Sequence, residues 1–189
     1  MNEHVAKRGA GGGHGVLVEP NTIRFERLLP GPLDRVWAFI TEPDKRGRWL
    51  ATGDMDVRVG GRVELFFRHA DLSPEVEPTP ARFKPYEAGV GFSGRVTRCE
   101  PPRLLAHSWA ENGAEDSEVT YELSPEGDKV RLVLTHRRLS SPDSLLSVSG
   151  GWHTHLAILE DVLAGRQPAP FWSAFARNEA DYKARLAER

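Results

Sequence analysis

Hydrophobic and polar residues alternate along much of this chain with the two-residue period of β-strands. The alternation predicts strands over residues 22–29, 55–58, 62–68, 91–100, 103–109, 117–123 and 129–137. Gly60-Gly61 between two of these stretches is typical of a two-residue hairpin turn. Short turns rich in proline, glycine and acidic residues separate the later strands, so the pattern predicts an antiparallel meander.

Directly after the first predicted strand, the period changes to that of a helix. An apolar stripe with i, i+3, i+4, i+7 spacing is formed by Leu33, Val36, Trp37 and Ile40. Pro43 interrupts this helix and predicts a second, short helix that ends near Trp49. We therefore expect two short helices after the first strand.

A long amphipathic helix is predicted over residues 149–164, with Gly165 in the usual stop position. A last amphipathic segment, 171–186, carries an aromatic stripe. It could form a partner surface, but we expect it to pack against the back of the domain.

This order of elements predicts an α+β fold in which a curved antiparallel sheet of about six or seven strands wraps around the long helix. A curved sheet over a helix leaves space between the two, which is how small-molecule cavities arise. We divide the chain into a flexible Gly-rich tail (1–15), the sheet-and-helix domain (16–165) and a C-terminal helical extension (166–189).

Composition narrows the possible partners. A net charge of −2, from 25 basic and 27 acidic residues, gives no electrostatic case for nucleic acid or an acidic membrane surface. No apolar run approaches the roughly 20 residues of a membrane span. The N-terminus lacks a secretion-signal pattern, and Cys99 is the only cysteine. We expect a cytoplasmic protein.

Aromatic and histidine side chains fall on the predicted inward faces of strands and helix. The candidate ligand-binding residues are Trp49, Phe92, His107, Trp109, Tyr121, His136, Trp152 and His155. Apolar walls with a few positioned polar groups are typical of a ligand pocket, although buried tyrosine and histidine also occur in ordinary cores. The loop 70–88, with four prolines, would form the mouth.

Other motifs argue against catalysis, a metal or a cofactor. Gly89 to Gly94 matches the dinucleotide pattern GxGxxG, but a strand pattern follows it where a phosphate-binding helix is needed. His153 and His155 are two residues apart on a helix and cannot share one metal ion. Cys99 is expected to be a half-buried apolar residue. No nucleophile with its base can be assigned from spacing, so we predict no catalytic residues.

The motifs along the chain resemble a known family. Six motifs resemble, in their order along the chain, single-domain relatives of the C-terminal domain of the Hsp90 ATPase activator. They are Pro30-Gly31-Pro32 through Trp49, the Gly60-Gly61 hairpin, Gly94-Arg95-Val96, 105–109, 119–123 and Gly151-Trp152 through Leu159. The resemblance covers roughly residues 20–165. It implies membership of the START-type superfamily of helix-grip proteins, whose members bind lipids, sterols, polyketides or other hydrophobic molecules, and a few of which are cyclases or hydrolases.

Three functions remain open at this point. The first is non-catalytic binding of a small hydrophobic or aromatic ligand between the sheet and the long helix. The second is a protein-interaction module, either a co-chaperone or stress-linked partner, or a homodimer formed through the last helix. The third is a cyclase-like or hydrolase-like enzyme with a histidine base. The first 20 residues are too short and Gly-rich to supply the domain that precedes this one in the eukaryotic activator, which argues against chaperone activation.

Overall fold

The computed structural model describes residues 13–109 and 117–187. The strands are β1 (Val16–Glu19), β2 (Thr22–Pro30), β3 (Arg62–Phe67), β4 (Val90–Glu100), β5 (Leu104–Trp109), β6 (Ser117–Glu126) and β7 (Lys129–Arg137). The α-helices are α1 (Leu33–Thr41), α2 (Pro43–Arg46), α3 (Pro142–Leu163) and α4 (Phe171–Ala187). Most of the predicted tail, residues 1–12, lies outside the described residues.

The strands form one antiparallel sheet in the order β1-β2-β7-β6-β5-β4-β3, and α3 packs across it. The predicted α+β helix-grip fold is thereby confirmed. Side chains of one face line up in rows across the strands; Ile23, His136, Val119 and His107 form one such row. Because all four are nearly fully buried, this face is the core side of the sheet.

One strand prediction is wrong. Residues 55–58 form no strand and pair with β3 only through an isolated bridge from Met55 to Val63. The backbone leaves the extended region at Gly53, where φ is 101°, and the Arg58 N–H turns back to the Asp56 carbonyl at 2.8 Å. The seventh strand is instead β1, whose mostly exposed residues carry no alternation that would predict it.

The long helix begins at Pro142 rather than at residue 149 as predicted. Ser141 caps it, because its Oγ accepts a hydrogen bond from the Ser144 N–H at 3.0 Å. The proline follows at the first helical position, where its missing N–H costs nothing. The early start adds two helical turns to α3, and those turns reach the candidate site.

The last helix does not pack against the back of the domain. Helix α4 lies against α3 and against the 3₁₀ turn His69–Asp71. Phe171 and Phe175, in the first two turns of α4, are buried and lie beside the space between α3 and the sheet. The aromatic stripe of α4 therefore covers the gap that the curved sheet leaves beside α3.

The predicted loop 70–88 is largely irregular but contains the 3₁₀ segment Ala81–Tyr86. Glu77 holds it to the start of α4 by accepting hydrogen bonds from the Ser173 N–H, at 3.0 Å, and from the Ser173 hydroxyl. These hydrogen bonds hold the pKa of the Glu77 carboxyl below its usual value. Arg82 adds an ion pair with Glu179 at 2.5 Å. The loop and α4 thus form one connected cover.

Arg46 fixes the turn that follows α2. It is 1% exposed, and its guanidinium donates to the carbonyls of Thr41 at 2.9 Å, Ala51 at 3.2 Å and Gly53. Burial lowers the pKa of Arg46, yet a guanidinium remains charged in proteins. One buried cation therefore satisfies several carbonyls that the turn would otherwise leave unpaired.

We expect Arg46→Met to lower the free energy of unfolding by about 3 kcal/mol, because buried carbonyls would lose their donors. Lys45→Ala is the matched control, since Lys45 forms only a solvent-exposed pair with Glu42 and such pairs contribute about 0.5 kcal/mol or less. Urea denaturation of both variants measures the difference. Equal stability of the two would show that the Arg46 hydrogen bonds do not hold the turn.

In the described parts of the chain, no helix has the length and apolar character required to cross a bilayer.

Candidate functional site

A cavity of about 670 Å³ lies between the core face of the sheet and α3. The sheet contributes Phe67, Val90, Gly91, Phe92, Trp109 and His136, and α3 contributes Ser144, Ser147, Val148, Gly151, Trp152 and His155. The cover contributes Phe83, Tyr86, Phe171, Trp172 and Phe175, while Leu50, His69, Ser140 and Ser141 complete the wall. This volume lies within the range of about 300–1,000 Å³ found for ligand pockets.

Five of the eight candidate residues meet at this wall: Phe92, Trp109, His136, Trp152 and His155. Four of these rings group around Trp109, whose ring centroid lies 5.7 Å from those of Phe92 and Trp152 and 5.5 Å from that of His136. His155 lies apart from them and contacts Phe67, His69 and Phe171. The sheet register places Trp109 at the end of β5, where it faces the early turns of α3. Whether these side chains contact a ligand remains a prediction.

The other three candidates lie behind the wall rather than in it. Trp49 is fully buried, and its indole N–H donates to the Phe39 carbonyl at 2.7 Å, so it is not at the cavity rim as expected. Tyr121 and His107 are also buried, and their rings stack at 6.0 Å. The alternation placed both on the correct face of the sheet, but α1 packs on β6 and β7 there, and Trp152 of α3 meets the Tyr121 ring edge-on at 6.0 Å.

The sequence reasoning missed the wall residues from the cover and from the first turns of α3. Two signals were present. Ser141-Pro142-Asp143 is a typical helix start, which would have placed Ser144, Ser147 and Val148 on α3. The stripe Phe171, Trp172, Phe175 indicated an unpartnered aromatic face, although its docking position depends on the tertiary fold.

His136 is held in a closed hydrogen-bond network. The Trp152 indole N–H donates to His136 Nδ1 at 3.0 Å, and His136 Nε2 lies 2.8 Å from Ser117 Oγ. Since indole nitrogen can only donate, Nδ1 is unprotonated and the proton of the neutral ring is on Nε2. The Ser117 hydroxyl in turn donates to the Trp109 carbonyl at 2.9 Å. Both nitrogens of His136 are therefore used within the protein.

The directions of these hydrogen bonds also indicate the role of the Ser117–His136 pair, which the sequence did not predict. A catalytic serine needs a histidine that accepts its proton. Here His136 donates to Ser117, and Ser117 is 3% exposed and absent from the cavity wall. The pair is a structural link between β6 and β7 and not a nucleophile with its base.

One ring nitrogen of His155 forms a hydrogen bond within the protein, and the other does not. Its Nδ1 donates to the Trp49 carbonyl at 2.7 Å, which places the proton of the neutral ring on Nδ1. Burial lowers the pKa of His155 to about 3, so the ring is neutral at pH 7. Its Nε2 therefore presents a lone pair, and it has no hydrogen-bond partner among residues 13–109 and 117–187.

Three further histidines of the core and the cavity wall are also neutral at pH 7. Burial lowers the pKa of His107 and of His69 to about 4, and that of His136 to about 3. Among the described residues that line the cavity, none is an aspartate, glutamate, lysine or arginine. The described residues also contain no group of three or more potential metal ligands. The cavity is therefore an uncharged aromatic space.

The pattern Gly89 to Gly94 is part of the strand architecture. Its residues run into β4 and are followed by more of that strand rather than by a helix. A Cβ on Gly94 would lie 2.0 Å from the Ser108 carbonyl oxygen, so the close approach of β4 and β5 requires glycine there. The helix that a dinucleotide site needs does not follow this motif.

These features define a class of protein: a helix-grip domain whose sheet and long helix enclose an uncharged aromatic cavity. The chain belongs to the family of activator of Hsp90 ATPase homolog 1-like proteins, which matches residues 30–164. The resemblance inferred from the sequence is thereby confirmed. No match was found among curated proteins.

Solved structures support the same assignment. The protein encoded by gene BPP1335 of Bordetella parapertussis is 49% identical, with a TM-score of 0.77 over 90% of this chain and 89% of that one. CalU16 of Micromonospora echinospora is 29% identical, with a TM-score of 0.63 over 86% of each chain. MLL2253 of Mesorhizobium loti, at 20% identity and a TM-score of 0.60 over 76% of this chain and 97% of that one, shares the fold.

Proposed function

We propose that this protein binds a small hydrophobic or aromatic molecule in the cavity between the sheet and α3, without chemical conversion. The observation that carries the proposal is the cavity itself: about 670 Å³ of space lined by aromatic rings and by no charged side chain of the described residues. A filled core would instead close such a space at the density of an organic crystal. A volume of this size is typical of pockets that hold drug-sized ligands.

The cover supports reversible entry. Phe83 stacks on Trp172 at 4.9 Å between ring centroids, and the Arg82–Glu179 pair lies at the surface beside them. These contacts involve partly exposed side chains and hold an irregular loop, which is the kind of segment that opens at low free-energy cost. A ligand could therefore enter between the loop 70–88 and α4 without unfolding the sheet.

The enzyme hypothesis has less support. The one serine–histidine contact described above has its proton on the wrong partner for base catalysis. The interaction hypothesis used either the outer face of the sheet or the 171–186 helix. The helix is a less suitable partner surface, because Phe171, Trp172 and Phe175 line the cavity and Tyr182 is buried.

Ligand binding can be tested with a neutral hydrophobic dye and a library of uncharged ring compounds. We expect Nile red to bind with increased fluorescence, and ring compounds that fit the cavity to displace it. The same compounds should quench the fluorescence of Trp109, Trp152 and Trp172, which line the cavity. A ligand present at 100 times its Kd should stabilise the fold by about 2.7 kcal/mol. Native mass spectrometry of gently purified protein would reveal a co-purified ligand. An empty protein that no compound stabilises would contradict the proposal.

A further inference from the structure

The cavity wall excludes charged ligands. The described wall residues supply no cation or anion that could pair with an ionised group. Transfer of an unpaired charge into such surroundings costs several kcal/mol. A ligand that fits must therefore meet the wall with uncharged groups, and its polar atoms must find hydrogen-bond partners among neutral side chains.

His155 supplies a hydrogen-bond acceptor of fixed position at the aromatic end of the cavity, which is formed by Phe67, His69, His155 and Phe171. His155 is 5% exposed and is fixed by its Nδ1–H bond to the Trp49 carbonyl. The ring cannot turn to exchange its nitrogens without breaking that bond. Its Nε2 lone pair is thus presented in one direction, on a residue of the cavity wall, and without a partner among the described residues.

Flat aromatic rings surround this acceptor. The ring centroids of Phe171 and Phe67 lie 5.0 Å and 5.9 Å from that of His155. His69 lies 5.6 Å away and stacks on Phe171 at 4.1 Å. Aromatic faces at these distances favour a planar ring that stacks or meets them edge to face.

Two other imidazoles lie on the wall, and neither is a fixed acceptor with an available lone pair. His69 has no side-chain hydrogen bond among the described residues, so no such bond fixes its tautomer or its orientation. Both nitrogens of His136 are engaged by Trp152 and Ser117. The serines of the wall lie at the opposite end, around the start of α3, and hydroxyl groups both donate and accept. The fixed acceptor of His155 therefore favours a ligand that carries a hydrogen-bond donor on a ring.

We propose that the ligand is an uncharged aromatic molecule carrying a hydroxyl group on its ring, and that His155 Nε2 accepts the hydrogen bond of this phenolic hydroxyl while the ring lies among Phe67, His69 and Phe171. This inference rests on the proposed function and specifies the chemistry of its ligand. It assigns His155 as the residue that positions the ligand.

Three matched probes test the inference by titration calorimetry at pH 7. We expect 2-naphthol to bind roughly 10-fold more tightly than 2-methoxynaphthalene, which keeps the rings and oxygen but has no donor, because one hydrogen bond contributes about 1.4 kcal/mol. We expect 2-naphthoate, an anion, not to bind measurably. Equal affinity for the first two probes, or tight binding of 2-naphthoate, would overturn the inference.

The same measurement separates this inference from the proposed function. If 2-naphthol and 2-methoxynaphthalene bind equally well, ligand binding stands and the role of His155 falls. If neither these probes nor Nile red binds, the proposed function falls and this inference falls with it.

His155→Phe should reduce the affinity ratio of 2-naphthol to 2-methoxynaphthalene from roughly 10 to roughly 1, because the ring volume stays and the acceptor is lost. His153→Phe is the matched control on the same helix, since His153 contacts Tyr182 and not the cavity wall, and it should keep the wild-type ratio. An unchanged ratio in His155→Phe would overturn the inference.

A second measurement needs no variant. Long-range ¹H–¹⁵N spectra of the wild-type protein should show His155 protonated at Nδ1, with an Nε2 signal that shifts on addition of 2-naphthol and not of 2-methoxynaphthalene. An Nε2 signal that responds alike to both probes would contradict a hydrogen bond from the hydroxyl.

Discussion

Three buried histidines are expected to remove about 6 kcal/mol from the free energy of unfolding when the pH is lowered from 7 to 5. The cause is the set of buried neutral imidazoles of His107, His136 and His155, which are at most 5% exposed. Burial lowers their pKa values to about 4, about 3 and about 3. In the unfolded chain each would titrate near pH 6.5.

The sign follows from proton uptake. Below pH 6.5 the unfolded chain binds protons that the folded protein does not, so stability falls as the pH falls and is fully present only above 6.5. At pH 5 each of the three residues costs about 2 kcal/mol. The loss continues until the folded pKa values, near 3 to 4, are reached. Because whole domains are stable by only about 5–15 kcal/mol, mild acid should bring this protein close to unfolding.

Urea denaturation at pH 8, 7, 6 and 5 measures this dependence, and the range above pH 5 keeps most carboxylates out of the result. His107→Phe retains the stacked ring between Trp109 and Tyr121 and should reduce the loss between pH 7 and pH 5 by about 2 kcal/mol. A free energy of unfolding that is constant from pH 7 to pH 5 would show that these histidines are not held neutral.

Replacing Gly151 by phenylalanine is expected to abolish ligand binding, at least about a 1,000-fold loss of affinity, or about 4 kcal/mol. Gly151 lies on α3 in the wall of the cavity, and a Cβ built on it meets no atom within 4 Å. A benzyl group would therefore project into the open space and occupy the position of the ligand. The protein should still fold, because the group fills a cavity rather than displacing a packed side chain.

Two variants on the same helix serve as controls for Gly151→Phe. Gly151→Ala should raise the free energy of unfolding by about 0.5–1 kcal/mol, as expected for glycine in a helix, and leave Nile red binding nearly unchanged. Ala157→Phe adds the same ring on the exposed side of α3 and should leave binding intact. Unaltered binding in Gly151→Phe would place the ligand elsewhere.

The sequence predicted the main elements because they bury one face. In β2, the alternation of Ile23 and Phe25 with Arg24 and Glu26 agrees with the observed burial. The stripe of Trp152, Leu156 and Leu159 is buried in α3 as expected. Where burial is weak, the prediction failed: β1 is mostly exposed and carries no pattern, and 55–58 alternates but is turned aside at Gly53.

The candidate site was predicted in part for the same reason. Strand parity reports which face a side chain occupies, and it placed His107, Trp109 and Tyr121 together on the core face. Parity does not report what covers that face. The curvature of the sheet leaves Trp109 at the open end, whereas His107 and Tyr121 lie under the helices.

The sequence by itself determined the helix-grip fold, since alternating strands, a pair of short helices and one long amphipathic helix have few ways to bury their apolar faces together. Only the tertiary structure decided the chemistry of the cavity. The protons of His136 and His155 are fixed by an indole N–H and a backbone carbonyl that are distant in sequence, and the cover comes from a helix whose docking no local pattern specifies. Hydrogen-bond direction and burial depend on which residues are neighbours in space. They make His136 a structural link between strands, with both ring nitrogens hydrogen-bonded, and leave His155 Nε2 available as an acceptor.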